Sequence, residues 1–360
     1  MKISQKFIIS LLLGCLCLHT AGIAKNINKH RWTEEQANAW YSKLPWLVGC
    51  NYIPATAINQ IEMWSKDTYD PTQIEKELTW AENIGFNTMR VFLSSIVWEH
   101  NPQELKDNIS HFLGICERHH IRPFFVLLDD NWLPESKYGK QPEPKPGVHN
   151  SGWVKDPAIS LRTDTTKLYK SLRRYFKDII GTFRNDQRIL FWDIYNEPGA
   201  QGIGVVSYNL MKKTYEWARE ARPSQPITSC ICEMGAKNVK LQAFQLEHND
   251  INTYHNYKDS NDQEQMIKYL RMGNRPLICT EYMARKFNSK FQNVLPVLKK
   301  HHVGAINWGF VAGKTNTNFA WGEPLPDMKE PPVWFHDILR TDGTPFDQEE
   351  IDTIKSLIGK

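Results

Sequence analysis

The chain has 360 residues, 41% hydrophobic and 12% aromatic, enough to bury one large core or two smaller ones. Its 44 Lys and Arg are balanced by 40 Asp and Glu, giving a net charge of +4 with both signs interspersed. No basic block with interleaved aromatics stands out, so composition lends no support to nucleic-acid binding. The 13 Trp suit either an aromatic core or a surface that stacks on flat ligands.

The first 24 residues differ from the rest. Lys2 and Lys6 precede an apolar run from Phe7 to Leu18, and small residues follow at Gly22 and Ala24. This is the layout of a secretory signal peptide over residues 1–24, cleaved after Ala24, and it predicts an exported protein: periplasmic, extracellular or at a bacterial cell surface. The run is too short for a membrane span. A competing reading takes "LLGC" as a lipobox with Cys15 as the lipid anchor, although Leu16 and Leu18 continue the apolar run where a lipoprotein turns polar. Cleavage leaves Cys50, Cys116, Cys230, Cys232 and Cys279, an odd number. Cys230, Cys232 and Cys279 lie in apolar runs, and Cys230-Ile231-Cys232 has the spacing of neither a zinc knuckle nor a redox pair, so buried thiols are expected.

Beyond the leader, short apolar runs alternate with amphipathic segments. Strands are predicted at 46–54, 87–93, 122–130, 188–198, 226–232, 250–257, 276–282 and 304–310. Between the first two, Asp70 can cap a helix that Pro71 begins, with Ile74, Leu78, Ala81 and Ile84 on one face and Gly85 at the end. Further helices follow each strand, the last being "DQEEIDTIKSLI", and long loops are read at 52–70 and 131–163. Strands apolar on both faces and alternating with helices call for a parallel sheet. Eight such units make an α/β fold, a (β/α)8 TIM barrel, as a single domain over 25–360.

In such a barrel the chemistry lies on the loops after the strands. The residues at those ends are Asn51, Arg90, Asp129 and Asp130, Asn196 and Glu197, Glu233, His255 and Tyr257, Glu281 and Tyr282, and Trp308. Arg90 is a lone charge within an apolar strand and needs a partner. Glu197 and Glu281 end the fourth and seventh strands and can face each other across the barrel axis. Two carboxylates so placed are the equipment for acid/base cleavage of a glycosidic bond. Glu233 is a rival partner, but its segment "CICEMGAK" lacks the hydrogen-bonding residues that flank Glu281.

Taken together, "IYNEPG" and "ICTEY" resemble clan A glycoside hydrolases, family 5 or a close relative most of all. The resemblance covers nearly the whole mature chain. It implies that Glu197 is the acid/base and Glu281 the nucleophile of a retaining mechanism, with Arg90 beside the nucleophile. His255 and Tyr257 match the family's His-x-Tyr pair, and Trp308 its sugar-stacking Trp. Asn196 would contact the 2-hydroxyl. Where many members carry a His near the end of the third strand, this chain has "LLDDNW", so either Asp129 and Asp130 take over its substrate contacts or one of them is structural.

On this reading Glu197 is protonated at rest, its pKa raised by enclosure and by the charge of Glu281. Trp64, Trp98, Trp132, Trp153, Trp308 and Trp321 are candidate sugar platforms, with simple core packing the alternative for each, whereas Trp192 belongs to the core. The expected partner is a β-linked carbohydrate, cut internally by an endo-β-1,4-glycanase (cellulase, mannanase or xylanase) or, alternatively, from its end by an exo-β-glycosidase. The substrate-binding set comprises Arg90, Asn196, His255, Tyr257, Trp308, Asp130 and Trp132. No cofactor, no metal and a monomeric state are expected. Two other classes remain: an inactive carbohydrate-binding barrel, and a metal-dependent barrel enzyme using Asp129, Asp130 and His255.

Overall fold

The computed structural model describes residues 30–232 and 238–359. The leader, Cys15 included, and Glu233 lie outside the described residues. Eight parallel strands run β1 Val48–Asn51, β2 Thr88–Phe92, β3 Phe124–Val126, β4 Trp192–Asp193, β5 Ile227–Thr228, β6 Asn252–His255, β7 Leu277–Glu281 and β8 Gly304–Asn307. Neighbours pair in the order β5-β4-β3-β2-β1-β8-β7-β6. A parallel bridge between Ile231 and Tyr254 joins the two outer strands and closes the barrel. The paired stretches are shorter than the apolar runs that predicted them, most of all at β4, because strands tilted around a barrel stay in register over only a few residues.

The helices form where their caps and apolar faces dictate. Pro71–Ile84 starts on Asp70, whose side chain accepts from the Gln73 N–H, and stops at Gly85 in the left-handed region at φ 102°. Ile74, Leu78, Ala81 and Ile84 are its buried face, as predicted. A helix not foreseen, Glu34–Tyr41, opens with a Thr33–Gln36 capping box. It plugs the N-terminal end of the barrel, where Ala37, Tyr41 and Leu47 pack on Phe124, Phe191, Ile251, Ile278 and Ile306. Trp192 is in the core, and the five described cysteines are buried thiols. Among the described residues no helix is long and apolar enough to cross a membrane.

Gly49 shows how tightly β1 and β2 are set. A Cβ there would lie 1.8 Å from the Thr88 carbonyl oxygen, so only glycine permits the pairing of Gly49 with Thr88. Gly49→Ala is expected to cost about 3 kcal/mol or more, since backbone cannot yield as a side chain can. Urea unfolding of the variant against wild type measures this.

Candidate active site

The C-terminal ends of the strands surround a cleft of about 940 Å³. It contains the ends of β3 to β8 and the loops that follow them, with Glu197 and Glu281 on its walls. Glu281 arrives by a break in register. Tyr254 pairs with Cys279 but His255 pairs with Glu281, so Thr280 is an extra residue and Glu281 is brought level with His255. Glu197 arrives through a strained turn. Its φ is 41°, its N–H meets the Cys230 sulfur at 3.1 Å, and Pro198 and a left-handed Gly199 turn the chain away behind it.

Beneath both carboxylates lies Arg90, fully buried, with each of its five N–H donors engaged. Nε and Nη2 reach Asp193 Oδ2 at 3.0 and 2.8 Å, and Nη2 also reaches Asn196 Oδ1 at 2.7 Å. Nη1 reaches Asn51 Oδ1 at 2.9 Å and Glu281 Oε1 at 2.8 Å. The other oxygen of Glu281 accepts from the Tyr257 hydroxyl at 2.6 Å. Asn196 donates to Asp129 Oδ1 at 2.8 Å, and Asp129 also accepts from Trp153 Nε1 at 2.7 Å and from the Asn131 N–H at 3.0 Å. Asn131 in turn donates to Glu197 Oε2 at 2.7 Å. One chain of hydrogen bonds therefore links both carboxylates to the barrel floor.

His255 bridges them from above. Its Nδ1 is 2.5 Å from Glu197 Oε1 and 3.4 Å from Glu281 Oε2. Burial lowers the imidazole pKa, but the Cys230 sulfur, Glu281 and Glu197 together carry it well above its ordinary value. Burial pushes Glu197 up, yet the hydrogen bond and charge of His255, with Asn131 and Arg90, outweigh it and hold Glu197 below the usual carboxylate value. Glu281 is raised, by burial first and by Glu197, against the lowering effect of His255, Arg90 and Tyr257. The resting proton thus belongs to the Glu197–His255 bond. This corrects the expectation of a Glu197 raised by its enclosure, and the reason is the imidazole, whose contact with Glu197 strand order alone did not reveal. One ligand atom each from Glu197, His255 and Glu281 lies within 4.8 Å of the others, close enough to chelate an ion as well as to share a proton.

Of the predicted site residues, Asn196, Glu197, His255, Tyr257, Glu281, Trp308 and Trp132 border the cleft, with Arg90 directly below Glu281. Asp130 does not. It is fully buried and accepts from Arg162 at 2.6 Å, from the Tyr195 hydroxyl at 2.7 Å and from the Gly199 N–H at 2.7 Å, which makes it the anchor of the turn after Glu197 rather than a sugar ligand. Trp64 and Trp98 are also corrected. Trp64 donates to the Phe92 carbonyl at 2.7 Å and Trp98 to Asp178 at 2.8 Å, both from within the core. Trp153, Trp308 and Trp321 do line the cleft, the first two with ring centroids 5.7 Å apart.

Several residues at the site escaped the sequence reading. Asp193 could have been found by the argument that picked out Arg90, being a lone charge in an apolar strand. Asn131, His149 and Asn150 carry no such signal, since polar residues are ordinary in a loop. His149 donates from Nδ1 to the Phe319 carbonyl at 2.8 Å and accepts at Nε2 from Trp321 Nε1 at 3.1 Å. Burial lowers its pKa to about 4, so it is neutral and free to accept. It belongs to a bridge between the loops after β3 and β8. The Asn150 N–H meets the Thr315 carbonyl at 2.7 Å, Asn316 Nδ2 meets the Lys145 carbonyl at 3.0 Å, and the Leu325 N–H meets the Gly147 carbonyl at 3.1 Å.

Fold and site together define a (β/α)8 barrel with paired carboxylates at its C-terminal rim. Residues 146–315, under half the chain, match the model of the glycosyl hydrolases family 2 TIM barrel domain. Among solved structures, the GH5_18 protein of Streptomyces cattleya in complex with GlcNAc is similar at 10% identity and TM-score 0.58, over 87% of this chain and 79% of that one. The β-mannanase of the blue mussel Mytilus edulis is similar at 15% identity and TM-score 0.51, over 73% and 86%. The exo-β-1,4-mannosidase from Opitutaceae bacterium strain TAV5 is similar at 17% identity and TM-score 0.58, over 87% of this chain and 60% of that one. At these identities the likeness is one of fold. No curated protein sequence matches the chain significantly.

Proposed function

We propose that this protein is a retaining β-glycoside hydrolase, of family 5 or a close relative in clan A, acting as an endo-β-1,4-glycanase on a β-linked polysaccharide. The observation that carries the reading is the pair Glu197 and Glu281, with carboxyl oxygens within 4.8 Å and Arg90 and Tyr257 on the second at 2.8 and 2.6 Å. That spacing suits direct attack by one carboxylate, whereas an inverting pair stands about 6.5–9.5 Å apart to admit water.

Glu281, kept anionic by Arg90 and Tyr257, attacks the anomeric carbon. The proton shared by Glu197 and His255 passes through Glu197 to the leaving oxygen. Once the glycosyl ester forms, Glu281 is neutral, and Glu197 accepts a proton from the incoming water. Asn196 has an amide hydrogen left for the sugar 2-hydroxyl after its bond to Asp129. Trp308, with Trp132 and Trp153 around it, stacks on the sugar. The scheme uses no metal or cofactor, and every residue it names comes from one chain, which fits a monomer. Export is supported by the leader, with Lys2 and Lys6 before the apolar run.

A second reading, exo action, is favoured by the β3–β8 bridge, since the cleft draws its lining from β3 to β8 and their loops and from neither β1 nor β2. The decisive test is hydrolysis of β-mannan, β-glucan, xylan and galactan with matching aryl β-glycosides, followed by NMR. Mannan leads the panel because β-mannanases are among the similar folds. Early release of the β-anomer and a ladder of oligosaccharides, unaffected by EDTA, are expected. Release of the α-anomer first would sink the retaining mechanism, and a single monosaccharide product would select exo action.

A further inference from the structure

The two oxygens of Glu197 meet different partners. Oε1 faces His255 Nδ1 at 2.5 Å, and Oε2 accepts from Asn131 Nδ2 at 2.7 Å. An imidazole can give up its proton whereas an amide cannot, so Asn131 remains a donor at every working pH. The amide presents its N–H because Glu197 shares a proton through its other oxygen, which leaves Oε2 an acceptor. Scaffold on both sides of this bond fixes its length. The Asn131 N–H is tied to Asp129 Oδ1 at 3.0 Å, and Asp129 exchanges backbone hydrogen bonds with Asp156 at 2.8 and 2.9 Å. Asp129 also forms a parallel bridge with Asn196, and Asp130 accepts from the Gly199 N–H at 2.7 Å. The loop that carries Asn131 therefore holds the chain both before and after Glu197. Asn131 and Glu197 are half-buried and border the cleft, so their bond leaves the carboxyl open to a substrate.

We propose that Asn131 is a positioning residue for proton donation, its amide fixed against Oε2 to stabilise the charge that Glu197 takes on as it protonates the leaving oxygen. In that step Glu281 forms its bond to the anomeric carbon while the bond to the leaving oxygen breaks, its electron pair staying on that oxygen. The oxygen takes the proton from Glu197, which becomes a carboxylate. A donor already aimed at the place where charge develops lowers the barrier without having to reorganise. Around Glu197 stand His255 on β6, Glu281 on β7, Arg90 on β2, Asp129 after β3 and the Cys230 sulfur after β5. Arg90 helps by its charge, and Asp129 and Glu281 oppose the new charge. Asn131 and His255 are the residues that meet it with hydrogen bonds. This inference rests on the glycosidase reading and deepens it.

The test compares wild type with Asn131→Ala, and with Asn131→Asp, which keeps the shape but offers no N–H. Substrates are aryl β-glycosides of the preferred sugar whose leaving groups run from dinitrophenyl through nitrophenyl to phenyl. A poor leaving group needs the proton and a good one departs without it. For Asn131→Ala, kcat/KM on the phenyl glycoside is expected to fall about 10- to 100-fold, the worth of a hydrogen bond to a charged group. The loss should shrink steadily toward the dinitrophenyl glycoside, and Asn131→Asp should lose at least as much. Because the amide favours the ionised carboxyl, its removal should also move the alkaline limb of kcat/KM to higher pH. Added to Glu197→Ala, the same substitution should cost far less than it does in wild type, since it acts through that carboxyl. An equal loss on every leaving group, an unmoved alkaline limb, or the full loss in the Glu197→Ala background would overturn the proposal and leave the glycosidase reading standing. A wild type that hydrolyses no β-glycoside would overturn both.

Discussion

Replacing Glu281 with Ala is expected to lower kcat on a β-linked oligosaccharide by about 10⁵-fold, or about 7 kcal/mol. The size follows from what is lost. In the proposed mechanism Glu281 is an attacking group held on target, and a group so held acts at an effective molarity of at least about 10⁵ M. Its surroundings favour that attack. Arg90 holds one oxygen at 2.8 Å, the Tyr257 hydroxyl holds the other at 2.6 Å, and a break in register brings the residue beside His255. Azide added to Glu281→Ala should enter the emptied space and restore turnover, with an α-glycosyl azide as product because one displacement replaces two. Glu197→Ala should instead yield the β-glycosyl azide from an activated aryl glycoside, since Glu281 still attacks first. NMR of the two products checks the assignment. Products of the same configuration, or full activity in Glu281→Ala, would refute it.

Replacing Arg90 with Met is expected to cost about 3–5 kcal/mol of stability. Asp193 would be left fully buried with its charge uncompensated, since Arg90 holds it through both Nε and Nη2. Activity should fall further than stability explains, by about 10²–10³-fold, because Glu281 loses the donor that keeps it ionised. Arg90→Lys should fare little better. Arg90 uses all five of its N–H donors on four residues, and an ammonium group with three donors leaves at least two of those contacts unmade. Urea unfolding and kcat on a substrate of the wild type separate the two losses. A folded, fully active Arg90→Met would disprove the proposed link between floor and nucleophile.

The barrel itself was legible because its cause is local and repeated. Runs such as "PFFVLL" and "PLICT", apolar on both faces and separated by capped helices, have few ways to bury themselves other than a parallel sheet wrapped in helices. The polar strand ends were legible by contrast with those runs, and Arg90, Glu197, His255, Tyr257 and Glu281 do converge on one cleft and its floor. Asp130 misled because the sequence places it beside Asp129, while only the packed turn decides which of the two faces Asn196 and which faces Arg162. Trp64 and Trp98 misled for a like reason, since a Trp near a strand end can point into the core or the cleft and its hydrogen bond settles which.

What the amino-acid order determined by itself was periodicity, capping and the chemical types at each strand end, all of which depend on neighbours a few residues away. The tertiary structure decided the rest: the 2.5 Å contact that gives the proton to the Glu197–His255 pair, the loop bridge between β3 and β8, and the amide of Asn131 set against Glu197. Protonation and pairing depend on which groups come within a few ångströms, and residues 58 or 165 positions apart meet only once the barrel has closed.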